Sequence, residues 1–348
     1  MKSALITGAS SQDAYHLAKM LLAKDYLVFA VQRRVAREEA ETVKTLRQNK
    51  RYRVLEGDIT DESSIIRAIK DAKPEEFYHL AAQSEVGTSF KEPLSTFNIT
   101  GLGTAVCLEA IREIKPDTKF YFAGSSEMYG DAHDGKPLNE DSPMIPRSPY
   151  AAAKLAGYHL SRIYRKSYNM FVCCGILFNH EGPHRKEYFV TRKITYAVAE
   201  IKAGVRKTLD LGDINSGRDW GHSRDYMKAA WMMLQHPEPD DYVVAMGTYN
   251  TVRDILDIAF KYVGIKDWTP YVNHNSPAHL RPNDVIRLIG DASKIRGKLG
   301  WKPRYTFESL IQEMMYCDMA RVEQIQQANK YNPSKMWFDN LPDFSKKS

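Results

Sequence analysis

The chain has 348 residues, 43% hydrophobic and 26% charged, which is the composition of folded domains and excludes a disordered or collagen-like polymer. Its net charge of +6 is spread along the chain without a basic block or a helix-turn-helix, RNP or zinc-finger pattern, so no nucleic-acid partner is expected. The longest apolar run, residues 171–178, is far short of the roughly 20 residues that span a bilayer, so no membrane partner is expected either.

The start, MKSALITG, passes at once into a strand-like run without a leader pattern, which predicts a cytoplasmic protein. From there short β-branched runs alternate with helical stretches. Strands are expected near residues 3–7, 27–31, 53–55, 76–80, 120–123 and 171–177, with helices in most of the gaps. This alternation predicts the α/β class: a Rossmann-type, doubly wound parallel sheet whose ligand crevice lies beyond the carboxyl ends of the strands. After Asn179 the pattern breaks into loops, a helix around 191–203, short strands and charged turns such as GDINSGRDW. Runs 225–235 and 242–246 could return to the main sheet. A long amphipathic helix around 307–327 follows, and residues from 332 onward read as loosely held. The expected division is a dinucleotide-binding domain over 1–178, a mainly substrate-binding lobe over 179–330 that interleaves with it, and a tail over 331–348. Four cysteines (Cys107, Cys173, Cys174, Cys317) form no CxxC pair and read as reduced thiols.

The first strand runs into Gly8-Ala9-Ser10-Ser11-Gln12-Asp13-Ala14 and a helix. A GxxGxxG turn uses its first glycine for a tight bend, its second for backbone approach to a pyrophosphate and its third for helix packing. Only Gly8 survives here, with the small residues Ser11 and Ala14 at the other two places. Ser10, Ser11, Gln12 and Asp13 are the remaining cofactor candidates in the turn. The second strand ends in Arg33-Arg34, where an enzyme using NAD would place an acid. Arginine there suits a 2′-phosphate, so NADP is favoured over NAD, the bland alternative being a solvated basic turn. Asp58, with Ile59 beside it, is placed to accept from an adenine amine. Leu80, Ala81, Ala82 and Ser84 supply small side chains where a backbone would pass a cofactor.

Tyr150 and Lys154 lie one helical turn apart, behind the helix entrance Arg147-Ser148-Pro149. A tyrosine ionises near pH 10, so service as a base near neutrality needs stabilisation of the phenolate by roughly 4 kcal/mol. The Lys154 ammonium and a positive nicotinamide ring could supply it together. Such a pair alone is common in ordinary helices. The fifth strand, however, ends in Ala123-Gly124-Ser125-Ser126-Glu127, where hydroxyls can bond a sugar oxygen and a carboxylate can act as acid or base. The plain alternative for Glu127 is a capping or surface acid. His180-Glu181-Gly182-Pro183-His184 fits the HExxH string of zinc proteases, but Gly182-Pro183 would break the helix that motif requires, so no metal is expected.

The strings YFAGSSEMYG, RSPYAAAKLAGYHL, GILFNHEGPHRKEYFVTRKI, GRDWGHSRDYMKAAWMMLQHPEPDD and GKLGWKPRYTFESLIQEMMYCDM resemble the extended short-chain dehydrogenase/reductase family, and within it the GDP-mannose 4,6-dehydratase group. The resemblance runs from the first strand to about Met319. It implies a hydro-lyase of nucleotide-sugar metabolism, in GDP-fucose or deoxyhexose biosynthesis, that binds NADP and converts GDP-mannose to GDP-4-keto-6-deoxymannose. Ser125 falls where the family has a threonine, while Glu127, Tyr150 and Lys154 match directly as catalytic residues. The resemblance also implies cofactor contacts at His180 and Arg185 and substrate contacts at Ser84, Ser126, Asn179, Lys193, Arg218 and Arg281, with Asp284 where the family has glutamate. It implies a homodimer through helices around 104–114 and 150–168. A tetramer is possible but doubtful, because the segment after Arg34 is short. Three other readings stay open: a GDP-4-keto-6-deoxymannose reductase, a dehydratase of a GDP-heptose, and a cofactor-sensing regulator that is not an enzyme.

Overall fold

A computed structural model describes residues 1–33, 40–130, 135–274, 276 and 288–330. The first half runs β1 (Ser3–Thr7), α1 (Gln12–Ala23), β2 (Leu27–Gln32), α2 (Glu41–Arg47), β3 (Tyr52–Glu56), α3 (Glu62–Ala72), β4 (Glu76–His79), α4 (Val86–Lys91), α5 (Pro93–Phe97), a π-turn (Asn98–Leu102), α6 (Gly103–Ile114), β5 (Lys119–Ala123), α7 (Pro149–Ser167) and β6 (Val172–Leu177). The strands inside the sheet are buried nearly end to end, as parallel strands covered on both faces must be, while β3 at the edge is buried only at Tyr52. All six expected strands are present; the third is longer at both ends and the fourth stops at His79.

The second half comprises β7 (Asn179–Glu181), α8 (Val190–Lys202), β8 (Leu209–Asp210), β9 (Gly217–Arg218), β10 (Trp220–His222), α9 (Ser223–Gln235), β11 (Asp241–Val244), β12 (Asn250–Thr251), α10 (Val252–Tyr262), β13 (Val272–Asn273), α11 (Ser293–Leu299) and α12 (Phe307–Lys330). Strand β11 returns to the main sheet, whose order is β11-β6-β5-β4-β1-β2-β3 with every pairing parallel. The order reverses between β1 and β4, and a ligand crevice opens at such a switch point. Beside the main core, a second apolar cluster joins α8, α10 and α12 through Ile194, Val198, Leu256, Phe260, Leu310 and Met314. Strands β7 and β10 pair in parallel, which brings Asn179 and His180 alongside Trp220 and Gly221.

The helical run Pro93–Ile114 departs from the sequence expectation. It has 22 residues and an 18-residue window of mean hydropathy 1.3, long and apolar enough to cross a membrane. The apolar run was hidden by the polar residues that interrupt it. Half of the window is buried in the fold, as in a core helix.

The turn after β5 depends on Gly130, which has φ +53° and whose missing side chain makes room for the Ile145 carbonyl. A Cβ built there would lie 1.7 Å from that oxygen. Gly130→Ala should therefore destabilise the chain by about 3 kcal/mol or more, read as a lowered urea midpoint. An unchanged midpoint would show that this turn can move freely.

Candidate active site

The dinucleotide end is built on Gly8, whose φ of +80° makes the bend after β1. A Cβ on Gly8 would come within 3.1 Å of the Ala81 backbone, so the turn and the loop after β4 meet without a side chain between them. Ser11 explains one missing glycine. It is the N-cap of α1 at φ −79°, and its hydroxyl accepts from Ala14 N at 3.1 Å. Its conformation does not call for glycine, and with Ala14 N taken by the cap, the Gln12 and Asp13 N–H groups are those of the first turn that an anion would meet. A pyrophosphate fits this cradle.

Asp13 and His180, both cofactor candidates by sequence, meet each other. His180 Nε2 lies 3.0 Å from Asp13 Oδ2, Ser223 Oγ donates to Asp13 Oδ1 at 2.6 Å, and Gln12 Nε2 donates to the His180 carbonyl at 2.8 Å. Together they tie α1 to β7 and α9. Burial pushes the Asp13 carboxyl up, but the His180 charge and the hydrogen bonds from His180 and Ser223 outweigh it and hold the pKa at about 2. Burial likewise disfavours the His180 cation, yet Asp13 raises its pKa overall. Asp13 therefore contributes stability that is complete above the ordinary carboxylate pKa and is lost as pH falls through about 2. The His180 contribution is present below the ordinary imidazole pKa and fades as pH rises through its raised value. Asp13→Asn should cost roughly 2 kcal/mol in urea unfolding near pH 6. A loss that persisted undiminished at high pH, after His180 had given up its proton, would contradict this pairing.

Arg33 is exposed at the end of β2, and Arg34 lies outside the described residues. Asp58 uses Oδ1 to accept from Thr60 N and Thr60 Oγ1, at 2.9 and 2.8 Å, leaving at most Oδ2 for a ligand. Ile59 is buried under the start of α6, 2.9 Å from where a Cβ on Gly103 would stand. Leu80, Ala81 and Ala82 are half-buried, Ser84 is exposed, and Ser10 is exposed at the tip of the first turn.

The chemical centre joins the end of β5 to the start of α7. Ser125 leaves the strand in an extended conformation and caps a one-turn helix, Ser126–Met128, by accepting from Glu127 N at 3.3 Å. Ser148 caps α7 by accepting from Ala151 N at 3.1 Å, with Pro149 in the first turn where its missing N–H does no harm. These two caps aim Ser125, Glu127, Tyr150 and Lys154 at one place. Burial is the largest influence on the Tyr150 phenol. A hydrogen bond with Ser125 lowers its pKa and the Glu127 carboxylate raises it, and together these push it up to about 12.

Lys154 is anchored at the end of β5. Its ammonium donates to the Ala123 carbonyl at 2.6 Å, and burial lowers its pKa to about 8. In the chain alone, burial outweighs any help to the phenolate. Ser126 is almost fully buried, while Glu127 is half-buried.

On the substrate side Asn179 heads β7, and Lys193 Nζ donates to the Asp210 carbonyl at 2.6 Å. Arg218 is buried and donates to the Gly217 carbonyl at 2.8 Å. Arg185 lies 3.1 Å from Glu181 and packs over the Phe189 ring. Asp219 was not singled out by sequence. It is fully buried and accepts from Met246 N, Gly247 N and Gly290 N at 2.9, 2.8 and 3.2 Å, clasping two segments beside Arg218. Arg281 and Asp284 lie outside the described residues. His180 sits in a strand and His184 in the turn after it, so the HExxH string forms no two-histidine helix face.

A doubly wound sheet with a phosphate-ready first helix and a serine, glutamate, tyrosine and lysine gathered beyond β5 defines an extended short-chain dehydrogenase/reductase. The family profile described as GDP-mannose 4,6 dehydratase matches residues 5–314. The chain is 40% identical to the GDP-mannose 4,6-dehydratase of Yersinia enterocolitica, over 93% of this chain and 95% of that one. It is 44% identical to GDP-mannose 4,6 dehydratase 2 of Arabidopsis thaliana, over 91% and 87% of the two chains. Among solved structures, the Thermus thermophilus UDP-glucose 4-epimerase complex with NAD superposes with a TM-score of 0.80 at 26% identity, covering 91% of this chain and 99% of that one. This chain belongs to the GDP-mannose 4,6-dehydratase family.

Proposed function

We propose that the chain dehydrates GDP-mannose to GDP-4-keto-6-deoxymannose with NADP as its resident cofactor. The observation that carries this is the gathering of Ser125, Glu127 and Tyr150, with Glu127 close enough to act on the phenol electrostatically. A phenol and a hydroxyl suffice for simple oxidation or reduction, but a carboxylate beside them adds the means to remove water.

A nicotinamide dinucleotide held by the first turn of α1 and the loop after β4 would supply a hydride acceptor and donor, with no net consumption of cofactor. Tyr150 takes the proton from the sugar O4, and Ser125 hydrogen-bonds that oxygen. The Lys154 ammonium favours the phenolate once it turns from Ala123 toward the crevice. With a ketone at C4, the C5 proton is acidic. Glu127 removes it and passes it to the C6 hydroxyl, which leaves as water, and Tyr150 returns the proton it took from O4 to C5 as C6 is reduced, which regenerates the base. The first turn of α1 holds the pyrophosphate, and Lys193 and Arg218 suit the substrate diphosphate.

Three finer points belong to the same reading. NADP rather than NAD rests on Arg33, whose guanidinium is exposed at the end of β2 where a ribose phosphate would lie. Arg33→Ala should weaken NADP⁺ binding about tenfold and leave NAD⁺ binding nearly unchanged; equal losses for both would remove Arg33 from phosphate recognition. A homodimer rests on exposed apolar side chains on α5, the π-turn and α7, including Leu94 at 85% and Leu102 at 52% exposure, with Ile163 on α7 and Tyr168 just after it. Light scattering at micromolar concentration tests it. A cytosolic setting rests on four free cysteines, three of them buried.

Purified chain given NADP⁺ and GDP-mannose should yield a 4-keto-6-deoxy product by NMR without lasting absorbance of reduced cofactor. Steady oxidation of added NADPH by a 4-keto sugar would mark a reductase instead. Turnover of a GDP-heptose in preference would change the substrate. Cofactor binding without turnover of any nucleotide sugar would mark a regulator.

A further inference from the structure

Strands β1 and β4 flank the switch point, and Thr7 and His79 are paired at their carboxyl ends. The Thr7 hydroxyl accepts from Leu80 N and Ala81 N, both at 3.2 Å, which occupies its two lone pairs. Its one proton must then go to His79 Nδ1, 3.0 Å away. With Nδ1 an acceptor, the imidazole proton sits on Nε2 and is donated to Thr104 Oγ1 at 3.2 Å. Thr104 passes its own proton to the Thr100 carbonyl at 2.8 Å, and the Thr100 hydroxyl accepts from Gln83 N at 3.1 Å. Every direction in this chain of bonds is fixed by counting donors and acceptors. One end terminates on the Leu80 and Ala81 N–H groups of the loop after β4, and the other on the carbonyl of Thr100, the residue whose hydroxyl separately holds Gln83 N in the same loop.

We infer that His79 is a positioning residue for that loop, locked as the neutral Nε2–H tautomer between Thr7 and Thr104. The relay is dry: Thr7 and Thr104 are fully buried, and His79 and Thr100 are each 1% exposed. The ring lies between Phe120 and Phe122, with centroids 6.0 and 6.3 Å away. A second proton, on Nδ1, would face a hydroxyl that has no lone pair left. Burial and the nearby Lys154 charge hold the His79 pKa at about 3, so the ring brings no competing cation to the site. The relay matters because Ala81 is the backbone that Gly8 touches. A shift of Leu80 or Ala81 moves the bend that holds the pyrophosphate. The role rests on the cofactor reading above, whereas the tautomer does not.

Two measurements test it. In ¹⁵N-edited NMR of the full chain, the His79 Nδ1 resonance should stay that of an unprotonated acceptor from about pH 5 to 9, where an ordinary histidine titrates. A protonated Nδ1, or a titration within that range, overturns the relay. Thr104→Val keeps the shape but removes the acceptor for His79, and should weaken NADP(H) binding about tenfold, or about 1.4 kcal/mol. The kcat at saturating cofactor should stay within about twofold, and Thr104→Ser should restore binding. Equal binding by the Val and Ser variants overturns the positioning role. A wild-type chain that binds no nicotinamide dinucleotide removes that role together with the cofactor reading, and the Nδ1 resonance still decides the relay by itself.

Discussion

Glu127→Gln should leave the oxidation half of the cycle running and stop the elimination. Product formation is expected to fall by about 10²–10⁴-fold, the usual share of a positioned acid–base group. Absorbance of reduced cofactor should appear on mixing and persist. Glutamine keeps the length and shape of the side chain, and the cap between Ser125 Oγ and the backbone N–H of residue 127 does not involve the carboxylate, so the turn should survive. The substitution also has a definite sign at the neighbouring phenol. The Glu127 charge raises the Tyr150 pKa, so removing that charge lowers it and favours the base. The first half-reaction should thus be unimpaired or faster while the second fails, a split that loss of folding could not produce. Rapid-mixing spectroscopy with NMR of the sugar reads both halves. Dehydration at the wild-type rate would take Glu127 out of the mechanism.

Much of this site can be read from the chain because each group stands at the end of a strand whose hydrophobic run is plain. Ser125 and Glu127 follow FYFA, and Tyr150 and Lys154 open a helix announced by Ser148-Pro149. What could not be read is what joins residues far apart. Asp13 and His180 were each legible as polar candidates, but their pairing spans 167 positions and depends on β7 lying beside α1. Ser223, which completes that cluster, gave no local signal at all. Asp219 looks like any acid in a charged turn until three backbone N–H groups from distant segments converge on it. The opposite error occurred at Ser11. A lost glycine suggested a weakened fingerprint, whereas the geometry asks for an N-cap there and serine is well suited to it. At Lys154 the spacing correctly placed the ammonium one turn from the phenol, but spacing could not say that a backbone carbonyl would take the proton donor first.

Tyr150→Phe should remove turnover by about 10²–10⁴-fold while leaving cofactor binding nearly intact, because only the hydroxyl is lost from a buried ring. The pH dependence carries more information than the loss itself. With the phenol pKa raised to about 12, the phenolate is a minor species at neutral pH, so kcat/KM for the sugar nucleotide should climb with unit slope as pH rises. The climb cannot continue unchecked. Lys154 gives up its proton near pH 8, and with it the charge that favours the phenolate, so the profile should level there. Lys154→Arg separates the contributions. A guanidinium stays charged throughout, so the climb should continue past about pH 8 even though a bulkier, differently shaped cation lowers the absolute rate. A wild-type profile that was flat from about pH 6 to 9 would mean that burial does not govern Tyr150 in the working enzyme, and that the phenol is already ionised when substrate arrives.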